Sequence, residues 1–303
     1  VRSNLPMIYY HVWDNFPPPE YNSNFYNSND MVACISKVTH EIVKAVSPDV
    51  SACYLPHAVN ESFFHPSKTE EEEKEANDLR KRVTNGKPKK KVFFWNNRNA
   101  RRKQSGTLIW WFKEWLDKVG HDKAMLLMHT DPRDPHGQDL PHIINHLGLD
   151  DGQVLLSTTK VDFKQLANLY RMADYTINIS DAEGFGLATL ESLSCGTPII
   201  VKNWFGYGIE PSSKTVIGSL QVPYIYEDRI SQKDFEKTLT KAIRNPAKKY
   251  RLMSSQGRRH VLKNYNFDNF EKSWINLIDG LIEEHGSWDE RKGHKRWHLL
   301  EVA

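Results

Sequence analysis

The sequence predicts an α/β fold: a parallel sheet with helices on both faces. Three observations predict it. Short apolar runs alternate with helix-period runs from residue 92 to residue 202. The apolar runs lack polar alternation, the pattern of strands buried on both sides. Gly120, Gly148 and Gly196 each close a helical run.

The elements follow in order. Residues 7–11 (MIYYH), 31–35 (MVACI) and 51–55 (SACYL) read as short strands, with a helix over 37–46. Residues 69–82 (TEEEEKEANDLRKR) have almost no apolar face and read as an exposed helix or linker. GKPKKK, 86–91, turns the chain, and its charge reads as a solvated turn. Residues 92–95 are a strand. Leu108, Phe112, Trp115, Leu116 and Val119 then lie at helical spacing, and Trp110, Trp111 and Trp115 read mostly as core. Strands at 124–129, 154–157, 175–180 and 198–202 alternate with helices at 139–147, 163–172 and 187–195. Helices at 233–244, 248–264 and 270–285 follow, and a polar tail ends the chain.

With 303 residues, 39% of them apolar and 11% aromatic, a packed core is expected. Lys and Arg number 41 against 38 acids, a net +3 that argues against a nucleic-acid protein by bulk charge. Cys34, Cys53 and Cys195 form an odd, sparse set. That fits reduced thiols in the cytosol better than a disulfide framework or a zinc site. No run of about 18 apolar residues could span a bilayer, and no signal peptide is expected in the first twenty residues. The reading is cytoplasmic, with peripheral membrane association left open. Val1 leads almost at once into a strand, so the natural chain is expected to begin earlier.

Residues 180–191 (SDAEGFGLATLE) follow a strand and open a helix. Gly184 and Gly186 permit a tight turn and close approach of a ligand. The amide hydrogens of the helix start suit a phosphate. Glu183 sits just outside this mouth. Glu191 lies about 7 Å along the axis, with its side chain leaning back toward the mouth. Carboxylates accept paired hydrogen bonds from vicinal hydroxyls, so a sugar on one side of a diphosphate and a ribose on the other would satisfy both acids. The plainer alternative makes Glu183 a helix cap and Glu191 a solvated helix residue.

Glu183-Gly-Phe-Gly-Leu, Glu191 and Gly196-Thr-Pro together resemble the Glu-x7-Glu signature of family 4 glycosyltransferases, retaining enzymes of GT-B fold. LPHAVNESFFHP (55–66) is similar to the segment joining that family's two domains, and LANLYRMADYTINIS (166–180) is similar to what precedes its signature. The resemblance covers roughly residues 8–280. It implies that Glu183 and the backbone from Phe185 through Gly186 to Leu187, with Gly184, hold the donor sugar, and that Glu191 holds the ribose. It also implies a retaining transfer by front-face attack, with the departing phosphate taking the acceptor's proton and no protein nucleophile.

Arg98 and Lys103 follow the strand at 92–95 and match the spacing of the family's Gly-Arg-x4-Lys element, which implies that they hold the diphosphate. Asn97 replaces the usual Gly, and Gln104 stands where Gly often follows the Lys. A solvated basic turn or an RNA patch is the alternative, and Arg101 and Arg102 read as surface residues. His11 ends the first strand. The family commonly has a His at that strand end near the donor sugar, so His11 joins the candidates, with Asp14 a weaker companion and a structural His the alternative. His142 and His146 lack a third metal ligand, and no Asp-x-Asp motif accompanies the site. No metal and no cofactor is therefore expected, the nucleotide-diphosphate sugar being a substrate. Residues 130–134 and 157–160 also follow strands and could edge the nucleotide pocket.

The implied organisation is a partial N-terminal, acceptor-side domain over 1–56, incomplete as a second Rossmann-like unit, and a donor domain over 57–269. A final segment, 270–303, is expected to pack toward the first. An incomplete sheet favours a homo-oligomer or a partner chain. The expected partners are a nucleotide-sugar donor and an acceptor (glycan, lipid or small molecule), with no nucleic acid. A non-catalytic nucleotide-sugar-binding module and a GT-B-like epimerase are the rival functions.

Overall fold

The computed structural model describes residues 5–202, 206–287 and 290–293. The chain forms two compact units. One gathers Val1–Ala58, Gly218–Tyr226 and Phe267–Ala303; the other gathers Val59–Ile217 and Glu227–Asn266.

In the first unit β1 (Ile8–His11), β2 (Met31–Cys34) and β3 (Ala52–Tyr54) pair in parallel in that order. The short α1 (Ser23–Asn27) and α2 (Lys37–Val46) connect them. Ser36 starts α2, its hydroxyl accepting from the Thr39 amide at 3.0 Å. Tyr26, Val32, Cys34, Val43 and Val50 form a small buried cluster.

The second unit opens with α3 (Glu70–Val83). Here the sequence reading needs correction. The helix is not a free linker: Ala76 is buried, and Leu79 and Val83 pack against the core. Arg80 donates to the carbonyls of Met172 and Lys90 and to Asp174 at 2.7 Å. Three small or apolar positions and one arginine anchor a helix whose composition is otherwise polar.

Six parallel strands follow: β4 (Lys91–Asn96), β5 (Ala124–His129), β6 (Val154–Ser157), β7 (Tyr175–Asn178), β8 (Ile199–Lys202) and β9 (Tyr207–Ile209). Their spatial order is β6-β5-β4-β7-β8-β9. The order therefore reverses between β4 and β7, which pair through Phe93–Tyr175 and Phe94–Thr176. An open parallel sheet presents its ligand crevice beyond the carboxyl ends of the strands at such a reversal.

Successive side chains of β4 feed opposite faces. Phe93 and Trp95 join one core with α4 (Ser105–Val119), α5 (Leu140–His146) and α8 (Gln232–Ile243). Val92 and Phe94 join the other with α3, α6 (Phe163–Met172), α7 (Leu187–Ser194) and α9 (Ala247–Asn264). Of the three tryptophans of α4, Trp115 is buried and Trp111 packs against the core, whereas Trp110 is half exposed.

The hairpin of β10 (Ser213–Ile217) and β11 (Ile225–Arg229), like β9, has no counterpart in the sequence reading. The last helix, α10 (Phe267–His285), starts three residues earlier than its periodicity predicts and belongs to the first unit, where Trp274 meets Tyr10 edge to face. Arg291 pairs with buried Asp30 at 2.7 Å in the same unit. Residues 288–289 and 294–303 of the predicted polar tail, and residues 1–4 ahead of β1, lie outside the described residues.

Candidate functional site

The loops that leave β4 and β7 at the sheet's reversal point carry three of the four charged candidates, Arg98, Lys103 and Glu183, and Glu191 follows in α7. After β4 the chain runs through Arg98 into a single 3-10 turn, Arg101–Lys103. After β7 it runs through Asp181 and Glu183 to Gly186 and α7. Lys103 and Glu183 meet, Nζ to Oε2, at 2.5 Å. Glu183 also accepts from Asn178 Nδ2 at 2.9 Å, and Asn178 Oδ1 in turn accepts from the Ser180 backbone amide at 3.0 Å. Burial pushes the Glu183 carboxyl up, but the Lys103 charge and the hydrogen bonds from Lys103 and Asn178 outweigh it, and its pKa is lowered.

Glu183 does not cap the helix. Gly186 occupies the N-cap position at φ +83°, and no side chain bonds the first turn there. Thr189 donates back to the Gly186 carbonyl at 3.0 Å, so among the described residues the first two amides of α7, Leu187 and Ala188, have neither an intrahelical nor a side-chain acceptor. Of the two glycines, Gly186 is the one with a left-handed backbone. A Cβ there would sit 3.4 Å from Glu183 Cγ, so this position favours glycine for conformation more than for space. Phe185 turns its ring onto Tyr265, edge to face at 5.6 Å.

Glu191 is not a solvated helix residue. Its carboxylate accepts from Tyr170 Oη at 2.7 Å, and Tyr170 Oη accepts from Asn96 Nδ2 at 2.8 Å. Burial raises the Glu191 pKa, and the Tyr170 bond opposes this only in part. Both acids are therefore tied to the carboxyl end of β4, one through Lys103 and one through Tyr170 and Asn96.

Arg98 stands apart from that pair. Its side chain is 60% exposed and forks onto Asp134 at 2.6 and 3.2 Å, with His136 Nδ1 at 2.7 Å. The hydrogen bond to Asp134 and its charge raise the Arg98 pKa, and the arginine in turn holds the Asp134 carboxyl well below the usual carboxylate range. His11 lies in the first unit, buried, with Nε2 at 2.8 Å from Tyr26 Oη. Burial lowers its pKa to about 4, so it is neutral at pH 7.

The support for the site was missed in the sequence. Gln104 adopts φ +55°, the left-handed conformation that glycine favours, at the very position where the resemblance led us to expect glycine. Its amide donates to Asp181 at 2.5 Å. The Asp181 amide donates to the Arg102 carbonyl at 2.8 Å, and Arg102 reaches the Ala182 carbonyl at 2.8 Å. Arg101, read as a surface residue, instead forks onto Glu227 at 2.8 and 2.9 Å, and Glu227 is only 1% exposed. Arg229 joins Glu227 to Asp181 at 3.4 and 3.2 Å. The basic turn is thus stitched to the signature loop by backbone and side chain together. The departure Gln104 was the one visible signal, because a non-glycine at such a turn must gain something by its side chain.

Residues 76–260 match the family described as Glycosyl transferases group 1. The chain belongs to the group 1 glycosyltransferases. Among curated relatives, the D-inositol 3-phosphate glycosyltransferase of Rhodococcus opacus is 30% identical over 148 residues, covering 45% of this chain and 30% of that protein. Among solved structures, sucrose-phosphate synthase from Thermosynechococcus elongatus superposes with a TM-score of 0.67 at 19% identity, over 87% of this chain and 61% of that one. Anabaena HepE, solved in complex with UDP and glucose, gives 0.68 at 14% identity, over 90% and 71%. These likenesses show the GT-B fold. This group 1 glycosyltransferase chain spans under a third of the curated relative's length.

Proposed function

We propose that this chain handles the donor in a retaining glycosyltransferase that moves a sugar from a nucleotide-diphosphate sugar to an acceptor. The observation that carries the proposal is the Lys103–Glu183 pair beside the uncapped, glycine-started α7, at the carboxyl ends of β4 and β7. In this reading Lys103 stabilises the negative charge that grows on the diphosphate as the glycosidic bond breaks, where a fixed cation lowers the barrier without reorganising. Glu183 and the backbone of Gly184, Phe185, Gly186 and Leu187 take the sugar hydroxyls, and Glu191 takes the ribose. Glu183 already fixes Lys103 in place, so the cation need not be ordered when the donor arrives. Arg98 joins by exchanging Asp134 for a phosphate oxygen. His11 takes part as a neutral hydrogen-bonding group. The acceptor attacks the face from which the diphosphate leaves, and a phosphate oxygen receives its proton. No metal and no cofactor is required.

A panel of nucleotide sugars, read first by thermal shift and then by sugar transfer or hydrolysis, tests this. Stabilisation by one nucleotide sugar followed by sugar release supports it. Binding with no transfer or hydrolysis, whatever acceptor is offered, would make the chain a binding module. Stabilisation by none of them would remove the proposal. Epimerisation of the sugar without its release would favour the epimerase.

A further inference from the structure

The charge of this chain is not spread evenly. Residues 232–264, which include α8 and α9, hold ten of its 41 Lys and Arg residues but only two of its 38 acids, Asp234 and Glu236. This segment carries +8, and the rest of the chain, 31 bases against 36 acids, carries −5. Nine of the ten bases are exposed: Lys233, Lys237, Lys241, Arg244, Lys248, Lys249, Arg251, Arg259 and Lys263. The tenth, Arg258, is half-buried on the Ser194 carbonyl. Several surface cations elsewhere find carboxylates, as Lys113 does with Asp117 and Lys118 with Glu236. Among the described residues, none of the nine makes an ion pair. So many like charges close in sequence repel one another and, among the described residues, find no carboxylate to offset them.

The patch also has a shape. Lys241, Arg244 and Lys249 line one open hollow of about 620 Å³ with Tyr207, Thr240 and Asn245. Lys249 lies over the Tyr207 ring at 5.2 Å. A single hollow with three cations suits a phosphate group. Next to it along α9, Leu252 is 54% exposed between Lys248 and Arg251 on one side and Arg259 on the other. Cations around a projecting leucine are the composition of a helix that lies on a bilayer surface. Stacking on bases would need free aromatic faces. Here Tyr207 lies under Lys249, and Tyr250 packs edge to face on Tyr175.

We propose that the junction where α8 ends and α9 begins docks on an anionic lipid bilayer, with a lipid phosphate in the Lys241–Arg244–Lys249 hollow. This does not rest on the donor reading, since the binding needs no sugar. The test is sedimentation of the full chain with vesicles of neutral phosphatidylcholine, or of the same lipid with about a third phosphatidylglycerol, at 0.1 M salt. We expect binding to the anionic vesicles at least ten-fold stronger than to the neutral ones. Lys241→Glu, Arg244→Glu and Lys249→Glu together should abolish it, and the three corresponding Gln changes should weaken it by about ten-fold or more. Unchanged thermal melting of both variants separates lost binding from lost folding. Leu252→Ser should weaken binding at high salt more than at low salt, where charge dominates. Equal binding to both vesicles, no binding to either, or binding that survives charge reversal would overturn the proposal. So would tighter binding to a single-stranded RNA at the same salt. Glycerol phosphate in solution that competes fully at low millimolar concentration would make the hollow a free-phosphate site instead.

Discussion

Lys103 and Glu183 depend on each other, and that makes them separable by experiment from residues that merely neighbour them. If each supplies about 3 kcal/mol to the transition state, Lys103→Ala or Glu183→Ala lowers transfer about 100-fold or more. Steady-state rates on the donor found by the panel check this, and unchanged turnover in both removes the pair from the mechanism. Glu191 has the opposite electrostatics. Its pKa is raised by burial, so ionising it costs the folded state at neutral pH, and that cost is relieved as pH falls through its raised value. Glu191→Gln should therefore melt at or above the wild-type temperature at pH 7. The difference should close below the ordinary carboxylate pKa of about 4.3. If Glu191 takes the ribose as proposed, the same change should weaken donor binding about ten-fold, because a charge-assisted acceptor becomes a neutral one. Calorimetry beside melting curves at pH 7 and pH 4 reads both. A variant that loses stability at pH 7 without losing affinity would make Glu191 a structural partner of Tyr170. The two acids were legible because a strand, two glycines and a helix start frame them in the sequence. Asn178, Tyr170 and Glu227 were not, because each meets the site only through pairings that the chain's order conceals.

The strands and helices of the second unit were the most legible part, since each carries enough apolar residues to declare its period. Helix α6 runs from Phe163 to Met172, as its spacing predicts, with Asp162 and Gln165 completing a capping box. β9, β10 and β11 were not legible. β9 is three residues long, and β10 buries no side chain, so neither displays an alternation. Helix α3 misled for a related reason: its anchoring residues are one alanine, two partly buried apolar side chains and Arg80, too few to form a stripe. The 3-10 turn at Arg101–Lys103 misled most, since three consecutive bases look alike in sequence. Arg101 neutralises a carboxylate with almost no access to water, whereas Arg102 meets a carbonyl at the surface. Arg101→Ala should therefore cost about 2 kcal/mol, discounted from a fully buried pair because the arginine is half exposed and Arg229 remains. Arg102→Ala should stay within about 0.5 kcal/mol. Urea denaturation of the two variants compares them directly. Equal losses would mean that the basic turn is held by its backbone contacts alone.

The two units differ in what holds them together, and this has a thermodynamic consequence. The second has apolar clusters on both faces of a six-stranded sheet, filled by large side chains such as Trp95, Phe112 and Trp115 on one face and Phe94 and Tyr170 on the other. In the first, the corresponding cluster among the described residues is Tyr26, Val32, Cys34, Val43 and Val50 against a three-stranded sheet. Buried apolar area sets most of the favourable term, at about 25 cal/mol per Å², so the first unit has much less to offset its chain entropy. Its sequence also comes from three separated stretches, so it cannot order without closing long loops. Thermal unfolding should therefore depart from a single two-state step, with an early transition from the first unit and a later one from the second. A ligand that binds only folded protein raises stability by RT ln(1 + [L]/Kd). The donor nucleotide should accordingly shift the later transition, by about 2.7 kcal/mol at a hundred-fold excess over Kd, and leave the earlier one nearly in place if its contacts lie wholly in the second unit. A shift of both by the same amount would mean that the nucleotide draws its affinity from both units. Scanning calorimetry with tryptophan fluorescence assigns the transitions, because Trp95 and Trp115 report on the second unit and Trp13 and Trp274 on the first.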